Sequence, residues 1–154
     1  MAEKQIINVL IVEDISLITE AYFRIITEIS TPETSYVPII TENCDRGWEK
    51  INKCDFDLII LDLNFPVTSS GQIKSGAQLG QMIRESFPKI KIVVLTGVME
   101  RKQLKKIKER IAPQGFLSKG ETKSSEIIRC LETVLEGGYY YCEFYSGTLG
   151  IKTV

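Results

Sequence analysis

The chain has no histidine among its 154 residues. That absence excludes Ser-His-Asp and Cys-His nucleophile sites and any metal centre built on imidazole. Chemistry here must therefore rest on carboxylates, hydroxyls, lysine or a hard cation. No apolar run is long enough to span a bilayer, and the opening M-A-E-K-Q lacks the basic, apolar and small-residue pattern of a secretory signal. The expectation is a cytoplasmic protein without membrane contact. Cys44, Cys54, Cys130 and Cys142 show no C-x-x-C spacing, so they read as thiols of a cytosolic protein. A net charge of −1 leaves no electrostatic footprint for nucleic acid.

What is present fits a single domain with a real core: 44% of residues are apolar and 25% charged. The stretch Asp55–Pro66, D-F-D-L-I-I-L-D-L-N-F-P, organises the rest. Phe56–Leu61 reads as a strand covered on both faces, ending abruptly in Asp62. Before it, Ile6–Val12 predicts a buried strand that ends in Glu13-Asp14. Residues 15–29 carry the apolar spacing of a helix. Tyr36–Thr41 predicts a strand, and Pro38 places it at a sheet edge. Arg46–Lys53 predicts a short helix. Beyond a polar loop at 67–75, helices are expected over 76–87, 100–111 and 124–136. Between them fall strands over Ile90–Leu95 and Gln114–Ser118, and Gly137-Gly138 end the last helix. Alternation of this kind means a doubly wound parallel sheet with right-handed crossovers. Five strands with the second at an edge suggest the order 2-1-3-4-5 of flavodoxin-like α/β folds.

That order gathers chemistry at one edge. Glu13 and Asp14 end strand one beside Asp62 on strand three, Thr96 follows strand four and Lys119 follows strand five. Three carboxylates in one place repel one another, and Mg²⁺ is the natural counter-ion. With a hydroxyl and a lysine added, the set can hold a phosphoryl group on Asp62. Singly, each residue has a duller use, as a helix cap, a turn or a surface charge. Jointly they occupy the carboxyl ends of four predicted strands, which favours a site.

The motifs V-E-D at 12–14, L-D-L-N-F-P at 61–66, L-T-G at 95–97 and F-L-S-K-G at 116–120 resemble those of response regulator receiver domains in two-component systems. The resemblance covers about residues 6 to 136, and the aromatic stretch that follows resembles the linker of LuxR/NarL-type transcription factors. It implies a receiver domain over 1–136 and an aromatic-rich linker or tail over 137–154. It further implies that Asp62 accepts phosphate from a histidine kinase or a histidine phosphotransfer protein, which would supply the histidine this chain lacks. Asp14, Asp62 and the backbone carbonyl of Asn64 would bind Mg²⁺, with Glu13 acting through water. Thr96 and Lys119 would contact the phosphoryl group, and Phe116 would change rotamer on activation. No turnover enzyme is expected beyond Mg²⁺-dependent phosphorylation and dephosphorylation of Asp62 itself. A homodimer is an expected assembly, and DNA would be reached only through an output domain that this sequence does not contain.

Departures from the family pattern carry their own expectations. Nine residues, Val67–Ser75, stand between Pro66 and Gly76 where about three are usual; they are expected to cover Asp62 partly and slow phosphate exchange. Gly120 follows Lys119 where proline is usual, which alters the last loop. Val98 offers no side chain to hold an attacking water, so a long-lived phosphate is expected. Arg101, Lys102, Lys105, Lys106, Lys108 and Arg110 give the fourth helix a basic outer face. Five aromatics fall between Tyr139 and Tyr145, too many for a free solvated tail. Three other readings compete. A haloacid-dehalogenase-type phosphatase needs a second acid two residues past its nucleophile, where this chain has Asn64. A flavodoxin-like electron carrier needs a polar phosphate loop where this chain has E-D-I-S. A receiver-like interaction module independent of phosphate would not require the acidic set.

Overall fold

The computed structural model describes residues 3–64, 71–97, 100–120 and 122–149. Strands and helices alternate: β1 (Gln5–Val12), α1 (Ser16–Glu28), β2 (Thr34–Thr41), α2 (Cys44–Lys53), β3 (Leu58–Asp62) and α3 (Gly76–Ser86). Then come β4 (Lys91–Thr96), α4 (Arg101–Ile111), β5 (Gly115–Ser118) and α5 (Ser124–Leu135). The sheet order is β2-β1-β3-β4-β5-β6 and every pairing is parallel. The first five strands thus stand in the expected order, with the Pro38 strand at the edge. A sixth strand, β6 (Tyr140–Tyr141), and a short helix, α6 (Glu143–Leu149), are additional. They join the described part of the aromatic tail to the sheet beside β5.

Helices cover both faces, α1 packing with α5 on one side and α2, α3 and α4 following one another on the other. This explains the unbroken apolar run in β3, whose five residues are all buried, Asp62 included. Three boundaries differ from the sequence expectation for local reasons. Strand β3 begins at Leu58 rather than Phe56, because the Asp57 carboxylate accepts a hydrogen bond from Asn8 N at 2.7 Å and fixes the approach to the sheet. Helix α2 begins at Cys44 rather than Arg46, because the Asn43 side chain caps it, accepting from Arg46 N at 2.8 Å. Strand β2 begins at Thr34, two residues early, in register with Gln5 of β1.

At the amino edge of the sheet Arg84 ties the far ends together. Its Nε donates to Ile111 O at 2.6 Å, and its two terminal nitrogens donate to Pro88 O, Ile90 O, Ala112 O and Gln114 Oε1 at 2.9–3.1 Å. All five guanidinium N–H groups are thereby used. Ile111 and Ala112 close α4, where Ala112 takes the left-handed conformation (φ 47°), so Arg84 also satisfies carbonyls left over at that helix end.

The carboxylate pocket as candidate functional site

Parallel register sets the site. Val12 pairs with Leu61, Asp62 with Leu95, and Thr96 with Ser118. The residues just past these pairs are pinned by backbone hydrogen bonds from Glu13 N to Thr41 O, Leu63 N to Leu95 O and Lys119 N to Thr96 O. Strand ends are thus level, and their next side chains meet over the carboxyl edge.

Glu13, Asp62 and Thr96 are fully buried, Lys119 is partly buried and Asp14 is exposed. Lys119 Nζ lies 2.8 Å from Asp62 Oδ2, 3.0 Å from Glu13 Oε2 and 3.2 Å from Glu13 Oε1. Asp62 Oδ1 accepts from Asn64 N at 2.9 Å, and Glu13 Oε1 also accepts from the amides of Asp14 and Ile15. The Asn64 side-chain amide donates to Thr96 Oγ1 at 3.1 Å. Glu13 Oε2 and Asp62 Oδ2 are buried and take no aligned hydrogen bond, the nearby ammonium being their off-axis ion-pair partner.

One cation facing two buried acids leaves negative charge poorly offset. Burial first, and the charge of Asp62 second, push the Glu13 carboxyl up to about 7 despite the opposing pull of Lys119. For Lys119 burial favours the neutral amine, but the close carboxylates of Asp62 and Glu13 outweigh it, and its pKa is raised. Ligand oxygens of Glu13, Asp14 and Asp62 lie within 4.8 Å of one another. A hard divalent cation with part of its water shell fits such an all-oxygen set, and the two under-satisfied oxygens are the groups it would serve.

The predicted site residues are therefore brought together, and Phe116 lies fully buried behind them on β5. Its ring packs between Tyr141, at a centroid distance of 5.3 Å, and Tyr145, at 5.1 Å. Of the inserted loop, the described part turns to α2: Gln72 N and Ile73 N both donate to Asp45 Oδ1 at 3.2 Å, and Ile73 is buried. Val67–Ser70, expected to cover Asp62, and Val98, expected to leave its phosphate long-lived, lie outside the described residues, as do Phe65 and Pro66. Gly120 leaves space open around a would-be Cβ.

Two contributors escaped the sequence reading. Gly76 opens α3 against the backbone at the end of β3, and a Cβ there would stand 1.9 Å from Asp62 O. Only glycine permits that approach, and a glycine placed where a loop enters a helix is the available signal. Tyr145 is fully buried, and its single hydroxyl proton is shared between Thr96 O at 2.8 Å and Gly97 O at 2.6 Å. The aromatic density of the tail marks it as packed, but nothing in its composition names a backbone carbonyl as the partner.

Residues 9–132 match the family described as response regulator receiver domain. Among solved structures, the isolated receiver domain of RcsB from Salmonella enterica serovar Typhimurium with the phosphomimetic BeF3− is 21% identical, with a TM-score of 0.78 over 93% of this chain and 98% of that one. A LuxR-family response regulator from Aurantimonas sp. SI85-9A1 is 17% identical, with a TM-score of 0.75 over 93% and 94%. A CheY-like receiver protein from Methanospirillum hungatei JF-1 is 17% identical, with a TM-score of 0.73 over 86% and 95%. At these identities the likeness establishes the fold. No curated protein matches the sequence. The family match covers every strand end that builds the pocket, and the chain belongs to the response regulator receiver domain family of two-component signal transduction.

Proposed function

We propose that Asp62 is the phosphoryl acceptor and that the chain works as a phosphorylation-controlled switch. The observation that carries this reading is the fully buried Asp62 carboxylate, 2.8 Å from the Lys119 ammonium with one oxygen lacking any aligned donor. Buried polar atoms are nearly always satisfied, and the exceptions concentrate where a ligand or a reaction completes them.

In the transfer, one Asp62 oxygen attacks the phosphorus of a phosphohistidine on a histidine kinase or histidine phosphotransfer protein. The O–P bond forms as the P–N bond breaks, and the departing imidazole takes its proton from solvent. Asn64 N orients the carboxylate through Oδ1. Lys119 offsets charge on the phosphoryl oxygens, and the Thr96 hydroxyl donates to one of them. Asp14, Asp62 and the Asn64 carbonyl would hold Mg²⁺, with Glu13 acting through water. When bound, the ion supplies positive charge against the phosphoryl oxygens. A phosphatase of the haloacid dehalogenase type is disfavoured by Asn64, whose amide is committed to Thr96. We take the receiver to run over 1–136 and the segment 137–154 to carry its output. A second copy of the chain is the proposed assembly partner. Contact with DNA would fall to an output domain, since a domain of net charge −1 offers phosphates little.

Incubation with acetyl phosphate and Mg²⁺, followed by intact-mass measurement, tests the assignment. The wild type is expected to gain the mass of one phosphoryl group and Asp62→Asn none. An unmodified wild type, or a modified Asp62→Asn, refutes it.

A further inference from the structure

Tyr145 reaches the pocket from behind. Its hydroxyl grips the carbonyls of Thr96 and Gly97, whereas the Thr96 hydroxyl faces the pocket and is held by Asn64. The same Thr96 carbonyl also accepts Lys119 N at 3.0 Å. One stretch of backbone therefore joins a hydroxyl of the site, the backbone of its lysine and the C-terminal segment.

The segment is joined to the rest of the domain by a short strand, a short helix and the buried side chains of Cys142, Tyr145 and Ser146. Gly137 takes φ +95° at the end of α5 and reverses the chain, and Tyr140–Tyr141 then adds only two residues to β5. Beyond these backbone pairings it is held by side chains: Tyr141 Oη to Pro113 O at 2.9 Å, Tyr140 Oη to Glu126 Oε1 at 3.2 Å, and the rings of Tyr141 and Tyr145 against Phe116. Helix α6 rests on α4 and β5. So short a strand and helix have little stability apart from these contacts.

We infer that Tyr139–Leu149 is a phosphorylation-gated latch, docked through Tyr145 on the Thr96–Gly97 backbone when Asp62 is free and released when Asp62 is loaded. This rests on the reading of Asp62 as acceptor. To serve a phosphoryl oxygen, the Thr96 hydroxyl leaves the Asn64 amide, and its peptide moves with it. One hydroxyl proton shared between two successive carbonyls at 2.6 and 2.8 Å tolerates little such displacement. Coupling of this kind is reciprocal: whatever loosens the latch favours the loaded pocket by the same factor.

The test uses the full chain. Intact mass first confirms loading by acetyl phosphate and Mg²⁺, and amide hydrogen exchange is then read on peptides covering 139–149, loaded and unloaded. Loading is expected to speed exchange there roughly tenfold, as for the loss of one or two hydrogen bonds. Tyr145→Phe keeps the buried ring, so it folds; its segment should exchange fast in both states, and it should bind beryllofluoride with Mg²⁺ more tightly than wild type. Tyr141→Phe, which removes a tail hydroxyl away from Thr96, should loosen the segment while loading still loosens it further. Confirmed loading with unchanged exchange over 139–149 overturns the latch, as does a Tyr145→Phe chain whose segment responds to loading as in wild type. Absence of loading in the mass spectrum would instead overturn the acceptor assignment, and the latch with it.

Discussion

Two cations lie at opposite edges of the same sheet, and they are housed in opposite ways. Arg84, at the amino edge, spends all five N–H donors on four carbonyls and one side-chain amide, with no carboxylate among them. Lys119, at the carboxyl edge, faces two buried acids that still hold under-satisfied oxygens. The first arrangement is complete, so it can only hold still. The second is unfinished, and what would finish it, a divalent cation and a phosphoryl group, comes from outside. Between these two cations, how fully the partners are satisfied separates scaffold from site.

Substitutions can strain that contrast. Asp62→Asn should abolish phosphoryl uptake outright in the acetyl phosphate assay while the chain stays folded by circular dichroism. Arg84→Met, which leaves several carbonyls without donors, should cost about 3 kcal/mol in urea denaturation yet leave the extent of loading unchanged. If Arg84→Met loads poorly while folded, the two edges are not separable. Gly76→Ala should touch both properties, because its Cβ meets the acceptor strand's own backbone. A loss of about 2 kcal/mol with slower loading is expected, read by the same two assays.

A further effect is in pH. The Glu13 carboxyl ordinarily titrates at 4.5 and is held up to about 7 in the fold. Between those values the folded chain binds the extra proton. The contribution is therefore complete below about 4.5 and is lost as pH rises through about 7. Without Mg²⁺, denaturation should show stability falling over that window by up to about 3 kcal/mol. Added Mg²⁺ should flatten the slope, since a bound cation favours the ionised acid.

Much of this was legible in the residues. Pro38 marked the edge strand, and the placing of Glu13, Asp14, Asp62, Thr96 and Lys119 just past apolar runs marked the site, because strand ends are where periodicity stops and chemistry begins. The missing parts share a physical reason. Strand β6 is two residues long, too short for any alternation to register. Arg84 and Tyr145 take backbone carbonyls as partners, and every residue has one, so no residue type announces them. Gly76 is read from what it leaves out, which appears only once a neighbouring backbone is in place.

The sheet itself has two rims, and each is blunted differently. Along the Thr34–Thr41 rim, proline removes a donor permanently. Along the other, two tyrosines cover Gly115 and Phe116, and the proposed latch would lift that cover. A chain that lets go of its own β6 uncovers a row of unpaired peptide groups beside Phe116, open to strand addition by a neighbouring polypeptide. In that state the protein would present a seam rather than a surface, specific by register as well as by shape.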